Sequence, residues 1–209
     1  MTSEVAICNQ ALSWLGGNLI TSLDDGTTEA ILCKANYDLL RNAVLEEGKW
    51  SFATKRFKLL PGPVAPVYGY STKFPVPSEV LLVIEARDDN NQGVSGNLFT
   101  TSESANGSSR LDWRLEGDSD GLFIVATTDV IFCKCIVEIT DTTKFTTTFN
   151  QALAARIAAD IASPLTESSA KEEKMWNKYN NSIVLALAVD GLQGKSDRIR
   201  TKSKILERR

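Results

Sequence analysis

Two helical patterns and an aromatic-rich joint follow one another between Ala6 and Arg56, in the sequence AICNQALSWLGGNLITSLDDGTTEAILCKANYDLLRNAVLEEGKWSFATKR. The first pattern predicts a helix from about Glu4 to Leu15, which Gly16-Gly17 ends. Its apolar residues recur at spacings of three and four, and they are Val5, Cys8, Leu12 and Leu15. A one-sided stripe of this kind covers a core on one face only.

The second helix is predicted to begin near Thr27, whose hydroxyl can cap free backbone amides. Gly48 stands where a C-cap glycine is common. The predicted buried stripe comprises Ala30, Cys33, Tyr37, Leu40 and Val44. Trp50 and Phe52 follow, and we expect them to fill the joint between helices and sheet; an aromatic ligand platform is the alternative.

The middle of the chain changes to short apolar runs separated by proline, glycine and asparagine. Strands are predicted for 79–87 and around 111–115, 122–126 and 130–139. Short antiparallel strands of this kind indicate a small sandwich or barrel.

Helical patterning returns after residue 145. Any of Thr146, Thr147 and Thr148 can cap a helix whose apolar residues recur every four positions: Phe149, Leu153, Ile157 and Ile161. Pro164 is expected to break it. Ser169 and Glu172 have the spacing of a capping box for a last helix, which ends near Gly191.

The predicted fold is α+β, with a four-helix unit interrupted by a small antiparallel β insertion. Residues 1–60 and 145–191 form the helical part, because four one-sided helices bury their stripes most simply against one another. Residues 61–144 form the β-rich insertion. Residues 192–209 form an extended basic C-terminal arm, too polar to bury.

Composition excludes several kinds of chemistry. The chain has 209 residues and no histidine, which removes histidine-dependent nucleophilic catalysis and histidine-ligated zinc. Its four cysteines lack the paired Cys-x-x-Cys spacing of a metal site, and no glycine-rich phosphate loop is present. We therefore expect no enzyme, no cofactor and no metal. No apolar run approaches a membrane span, and no signal peptide is evident, so folding in a cytoplasm and no membrane partner are expected.

Two acidic pairs are the remaining catalytic candidates. Asp24-Asp25 and Asp88-Asp89 could act as the carboxylates of a glycan hydrolase. Both also have the ordinary chemistry of turns and strand ends. The turn interpretation is favoured.

Charge is distributed unevenly along the chain. The net charge is −3, and residues 195–209 carry a net +5, which leaves −8 on the rest. Three interpretations of this arm remain open: docking on a neighbouring protein, binding nucleic acid, or a solvated end. Apolar residues among the charges favour docking. The predicted partner-binding residues are Arg198, Ile199, Arg200, Lys202, Lys204, Ile205, Leu206, Arg208 and Arg209.

The order of these pieces resembles the tail tubular protein A family, the head-to-tail adaptor of short-tailed, T7-like bacteriophages. The resemblance rests on Cys8-Asn9-Gln10-Ala11-Leu12, on Ser22-Leu23-Asp24-Asp25, on Tyr37-Asp38 with Arg41, and on Trp50 to Leu60. The segments Ala154–Ala158 and Pro164–Ser168 extend it to the closing helices, whereas the β segment contributes little.

The resemblance implies a structural virion protein in the tail or neck, assembled in the host bacterial cytoplasm. Such subunits form a ring, usually a dodecamer, between the portal protein and the tail nozzle protein (tail tubular protein B-like), and DNA passes through its channel. Arg41, Lys55, Arg56 and Arg156 lie in family-like positions, where they could pair across a subunit boundary or remain solvated. The rival functions are a virion-associated glycan hydrolase and a DNA-binding accessory protein acting through the basic arm.

Overall fold

The computed structural model describes residues 3–88, 111–119 and 121–193. Within these ranges the chain forms four α-helices and two small antiparallel sheets, so the predicted α+β class is confirmed. The helices are α1 (Glu4–Leu15), α2 (Thr28–Glu46), α3 (Thr147–Thr166) and α4 (Ser169–Gly191). A short 3₁₀ turn, Thr142–Lys144, precedes α3.

Each helix begins with a side-chain oxygen that accepts a hydrogen bond from a free backbone amide. Thr27 caps α2 and Thr146 caps α3, as predicted. The prediction for α4 was one residue off. Ser168, not Ser169, is the cap and accepts from the amide of Lys171, so Ser169 is already the first helical residue.

Two predicted helix ends are corrected. Pro164 lies inside α3, which continues to Thr166. Proline removes one helical hydrogen bond and bends a helix, but only two helical residues follow it here, so little of α3 is disturbed. Gly48, the residue after the C-cap Glu47, is not a left-handed cap, because its φ is not positive. Glycine is needed at position 48 for space, since a Cβ there would lie 2.8 Å from the Trp50 ring nitrogen and closer still to Leu187.

Helix α3 is the central helix. Its apolar stripe and most of the alanines between are buried, and α1, α2 and α4 all pack on it. Alanine allows this because its small side chain lets neighbouring helices approach on several sides. The predicted stripes of α2 and α3 are buried throughout.

The six strands form two three-stranded antiparallel sheets, ordered β1-β6-β3 and β2-β5-β4. Their bounds are β1 (Thr54–Leu59), β2 (Thr72–Pro75), β3 (Val80–Arg87), β4 (Trp113–Asp118), β5 (Gly121–Ala126) and β6 (Ile131–Val137). Strand β1 was not predicted. It falls within residues 1–60, assigned to the helical part, yet it pairs along its length with β6.

Strand β6 contributes to both cores of the molecule. Ile131, Cys133 and Cys135 lie in the apolar cluster shared by the two sheets. Ile136, the next residue, lies in the helical core instead. Since successive side chains point to opposite faces of a strand, the β1-β6-β3 sheet lies between the helices and the second sheet.

The aromatic residues after α2 belong to the helical core. Trp50 is fully buried, its ring centroid lies 4.9 Å from that of Phe149, and its indole N–H donates to the carbonyl of Val44. Phe52 packs on Phe145 and Phe149. Trp50 has no exposed face and cannot serve as a ligand platform. The same cluster contains Ile136 of β6, so Trp50 and Phe52 lie where the helices meet the sheet.

Candidate interaction surfaces

The predicted partner-binding residues of the basic arm, Arg198 to Arg209, lie outside the described residues. So does Asp89, the second member of one acidic pair. The candidate surfaces described below therefore lie within residues 3–88, 111–119 and 121–193.

Asp24 and Asp25 do different structural work in the turn before α2. Asp25 accepts hydrogen bonds from the backbone amides of Thr21 and Ser22 and from the Thr21 hydroxyl, at 2.8 to 3.0 Å. These bonds stabilise the carboxylate and hold its pKa below the ordinary value. Asp24 pairs with Lys34 at 2.6 Å. A hydrolytic pair needs one carboxyl group with a raised pKa, and the Asp25 shift is in the opposite direction.

Three of the four family-like basic residues bind within the chain. Arg41, only 2% exposed, pairs with Asp38 at 2.7 Å and Glu138 at 2.6 Å, so neither a cross-subunit pair nor a solvated charge describes it. Lys55 pairs with Glu79 at 2.7 Å.

Arg156 pairs with Asp160 at 2.9 Å and lies over the rings of Trp176 and Tyr179. It therefore binds α4 to α3. Arg56, in contrast, is exposed on β1.

The four cysteines are buried free thiols. The hydrogen bond with Cys33, followed by burial, raises the pKa of Cys8. The pKa of Cys135 is raised in the same way by Cys133 and by burial. In the described part of the chain, no cluster of three or more acidic or cysteine side chains could hold a metal ion.

Large apolar side chains are exposed on the outer face of α2. Ile31 is 60% exposed and Leu39 is 69% exposed, with exposed Ala35 midway between them. We call Ile31, Ala35 and Leu39 the α2 row. Its spacing of four residues keeps all three on one helix face. An open depression beside Ile31 and Ala35 is lined by Leu23 and Gly26 and by the charged residues Asp24, Asp25 and Lys34.

A second exposed row has the same spacing on α4. Val184 is 67% exposed and Leu192, the C-cap residue, is 84% exposed, with exposed Ala188 between them. We call Val184, Ala188 and Leu192 the α4 row; Leu185, 56% exposed, lies beside it. Sequence reasoning missed both rows because it sought one buried stripe per helix. A second apolar repeat at i, i+4, i+8 was the available signal.

The proline-rich segment after β1 exposes a third set of apolar side chains. Val67 is 99% exposed and Tyr68 is 88% exposed. The amide of Gly62 donates to the carbonyl of Lys73 at 2.7 Å and fixes one end of this segment against β2. We call residues 60–68 the proline loop.

In the described ranges, no helix is long and apolar enough to span a membrane. No family model matches the chain, and neither does any curated protein. The surfaces above are thus interpreted from their own chemistry.

Proposed function

We propose that the chain is a structural virion protein, a head-to-tail adaptor subunit resembling tail tubular protein A. It forms a ring, a dodecamer by resemblance, in the neck of the virion between portal and tail nozzle, and DNA passes through it. The ring assembles in the cytoplasm of the host bacterium. In this proposal the four helices are one unit interrupted by the β insertion, and residues 192–209 extend from it as a basic arm.

The observation that carries the proposal is the exposure of apolar residues in three places: the α2 row, the α4 row and the proline loop. Single exposed apolar residues are ordinary, but aligned rows usually mark contacts with other proteins. A ring subunit needs two different complementary faces for its neighbours and further surface for the portal and nozzle. Three separate apolar surfaces suit that requirement better than they suit an isolated enzyme.

The contacts of the acidic turn favour this proposal over a glycan hydrolase. Asp24 and Asp25 are held by Lys34 and by the backbone of their own turn. Alanine replacement of Asp24, Asp25, Asp88 and Asp89, one at a time, tests the rival. Loss of a glycan-cleaving activity in one folded variant would support the hydrolase.

The direct test is negative-stain microscopy of the purified protein mixed with the portal protein of the same phage. Rings stacked on portals are expected. Protein that never associates with portals, while portals bind another tail component normally, would contradict the proposal. Purified protein without portal serves as the control, and we expect it to remain largely monomeric, because copies carrying −8 outside the arm repel one another.

The basic arm has its own test. Removing residues 195–209 is expected to leave the melting temperature nearly unchanged and to abolish attachment to portal-bearing heads. Charge pairing would orient docking, and Ile199, Ile205 and Leu206 would anchor it. Normal tail completion by the truncated protein would rule out this role. A steep salt-dependent affinity for DNA alone would favour the DNA-binding alternative.

A further inference from the structure

The two exposed rows match one another in spacing. Each has a large apolar residue, an alanine four residues later and another large apolar residue four residues after that. Laid antiparallel, Ala35 of one helix faces Ala188 of the other. Ile31 then faces Leu192, and Leu39 faces Val184.

In this arrangement the side chains of the two rows can pack closely. Two alanines at the centre let the helix backbones approach closely, and the large residues at both ends fill the space on either side. The depression beside Ile31 offers room for Leu192, the most exposed side chain of the α4 row. The rows thus match in spacing and in the alternation of large and small side chains.

One pair of opposite charges fits the same direction. Beyond Leu39 the outer face of α2 continues to Glu46, and before Val184 the outer face of α4 contains Lys174, with exposed Glu173 next to it. Neither Glu46 nor Lys174 forms an ion pair with another described residue. The antiparallel register brings Glu46 to within three residues of Lys174, about 4.5 Å along the helix axes, which is within reach of two long side chains. A parallel arrangement would separate them.

We propose that the α2 row of one copy binds the α4 row of the next copy, antiparallel and in the register that faces Ala35 with Ala188. The occupant of each row is thus a second copy of this chain. The contact is heterologous, so every copy uses both rows, whereas self-pairing of either row would leave the other exposed. This inference rests on the proposed ring and names the surface through which neighbouring subunits join.

Cysteine cross-linking tests the pairing. Full-length A35C is mixed with a size-tagged full-length A188C in the presence of the portal protein, on which the ring is proposed to assemble, and oxidised mildly; the four native thiols are buried and do not compete. The expected product is the mixed 35–188 disulfide, in several-fold excess over either homodimer. The double variant A35C/A188C should give a ladder of higher species. V67C, at a residue that is 99% exposed, is the control for random collision.

Same-row products alone, or a mixed yield no greater than the V67C background, would overturn the pairing. Charge reversal is the second measurement: E46K or K174E alone should lower the mixed yield several-fold, and combining both in one chain should restore it. No restoration would contradict the proposed register.

The two proposals fail separately. Rings on portals without the 35–188 product would remove this surface and leave the adaptor function standing. The 35–188 product without portal binding would do the reverse.

Discussion

Ser51 donates both its backbone N–H and its hydroxyl to the carboxylate of Asp190, at 2.8 and 2.7 Å, across 139 positions of sequence. The two residues join the turn after α2 to the last turn of α4. Asp190 is an acid near a helix C-terminus, where the helix dipole disfavours negative charge. The two donors from Ser51 compensate for that placement.

Replacing Asp190 with alanine is expected to lower the free energy of unfolding by about 2 kcal/mol, because two hydrogen bonds to a mostly buried carboxylate are lost. S51A keeps the backbone donor and should cost about half as much. Urea unfolding measures both. Equal losses in the two variants would show that the hydroxyl carries the whole interaction.

Arg41 is expected to matter far more than an ordinary surface arginine. R41A removes a buried guanidinium bound to Asp38 and Glu138, and we expect a loss of about 2 kcal/mol. The carboxylates left behind are partly exposed, so the loss stays below that of breaking a fully buried pair. K34A, which breaks an exposed pair with Asp24, is the control and should cost at most about 0.5 kcal/mol. A similar effect in both variants would contradict this ranking.

Tyr37 is a candidate for stabilisation. Its side chain is buried, and its hydroxyl has no hydrogen-bond partner among the described residues. Burial raises the pKa of Tyr37, so the group stays neutral. Removing an unsatisfied buried hydroxyl in Y37F is expected to raise the free energy of unfolding by about 1 kcal/mol.

Y179F is the matched control, because the Tyr179 hydroxyl donates to Glu47 at 2.6 Å. It should lose about 1.5 kcal/mol. Destabilisation of Y37F to the same extent would mean that its hydroxyl has a partner.

The lowered pKa of Asp25 predicts that the protein loses stability in acid. Its pKa in the folded chain is lowered from 3.8, so its hydrogen bonds stabilise the fold above that value, and the contribution disappears as pH falls through the folded-state pKa. D25N should therefore melt below the unmodified protein at neutral pH, and the difference should shrink as pH falls below 3.8. Melting curves across the acid range test this. A difference in melting temperature that widens as the pH falls would contradict this prediction.

The helices could be predicted because their buried apolar residues recur at the helical period. Leu153, Ile157 and Ile161 follow one another at four residues and are all buried, so period alone locates that face. Strand β1 could not be predicted in this way. It alternates little, carries Lys55, Arg56 and Lys58, and buries only Leu59. Its paired residues in β6 lie 72 to 82 positions further along the chain, and no local pattern records that contact.

The candidate interaction surfaces were missed for a different reason. The residues of the α2 and α4 rows can be read in the sequence, but residue type alone does not show whether an apolar side chain is exposed or buried. Only the burial of Leu40 beside the exposure of Leu39 separates the two roles. For residues 195–209, the sequence shows basic and apolar residues and leaves open whether they bind a partner.

Strand β6 limits how this chain could be rearranged. Residues 61–144 form a continuous stretch that could in principle be cut out or exchanged as a cassette. Excision would remove Ile136 from the helical core and Glu138 from Arg41, and would leave β1 without a partner. This stretch is thus not a detachable module, and a transplant into another scaffold would have to carry the matching helix faces with it.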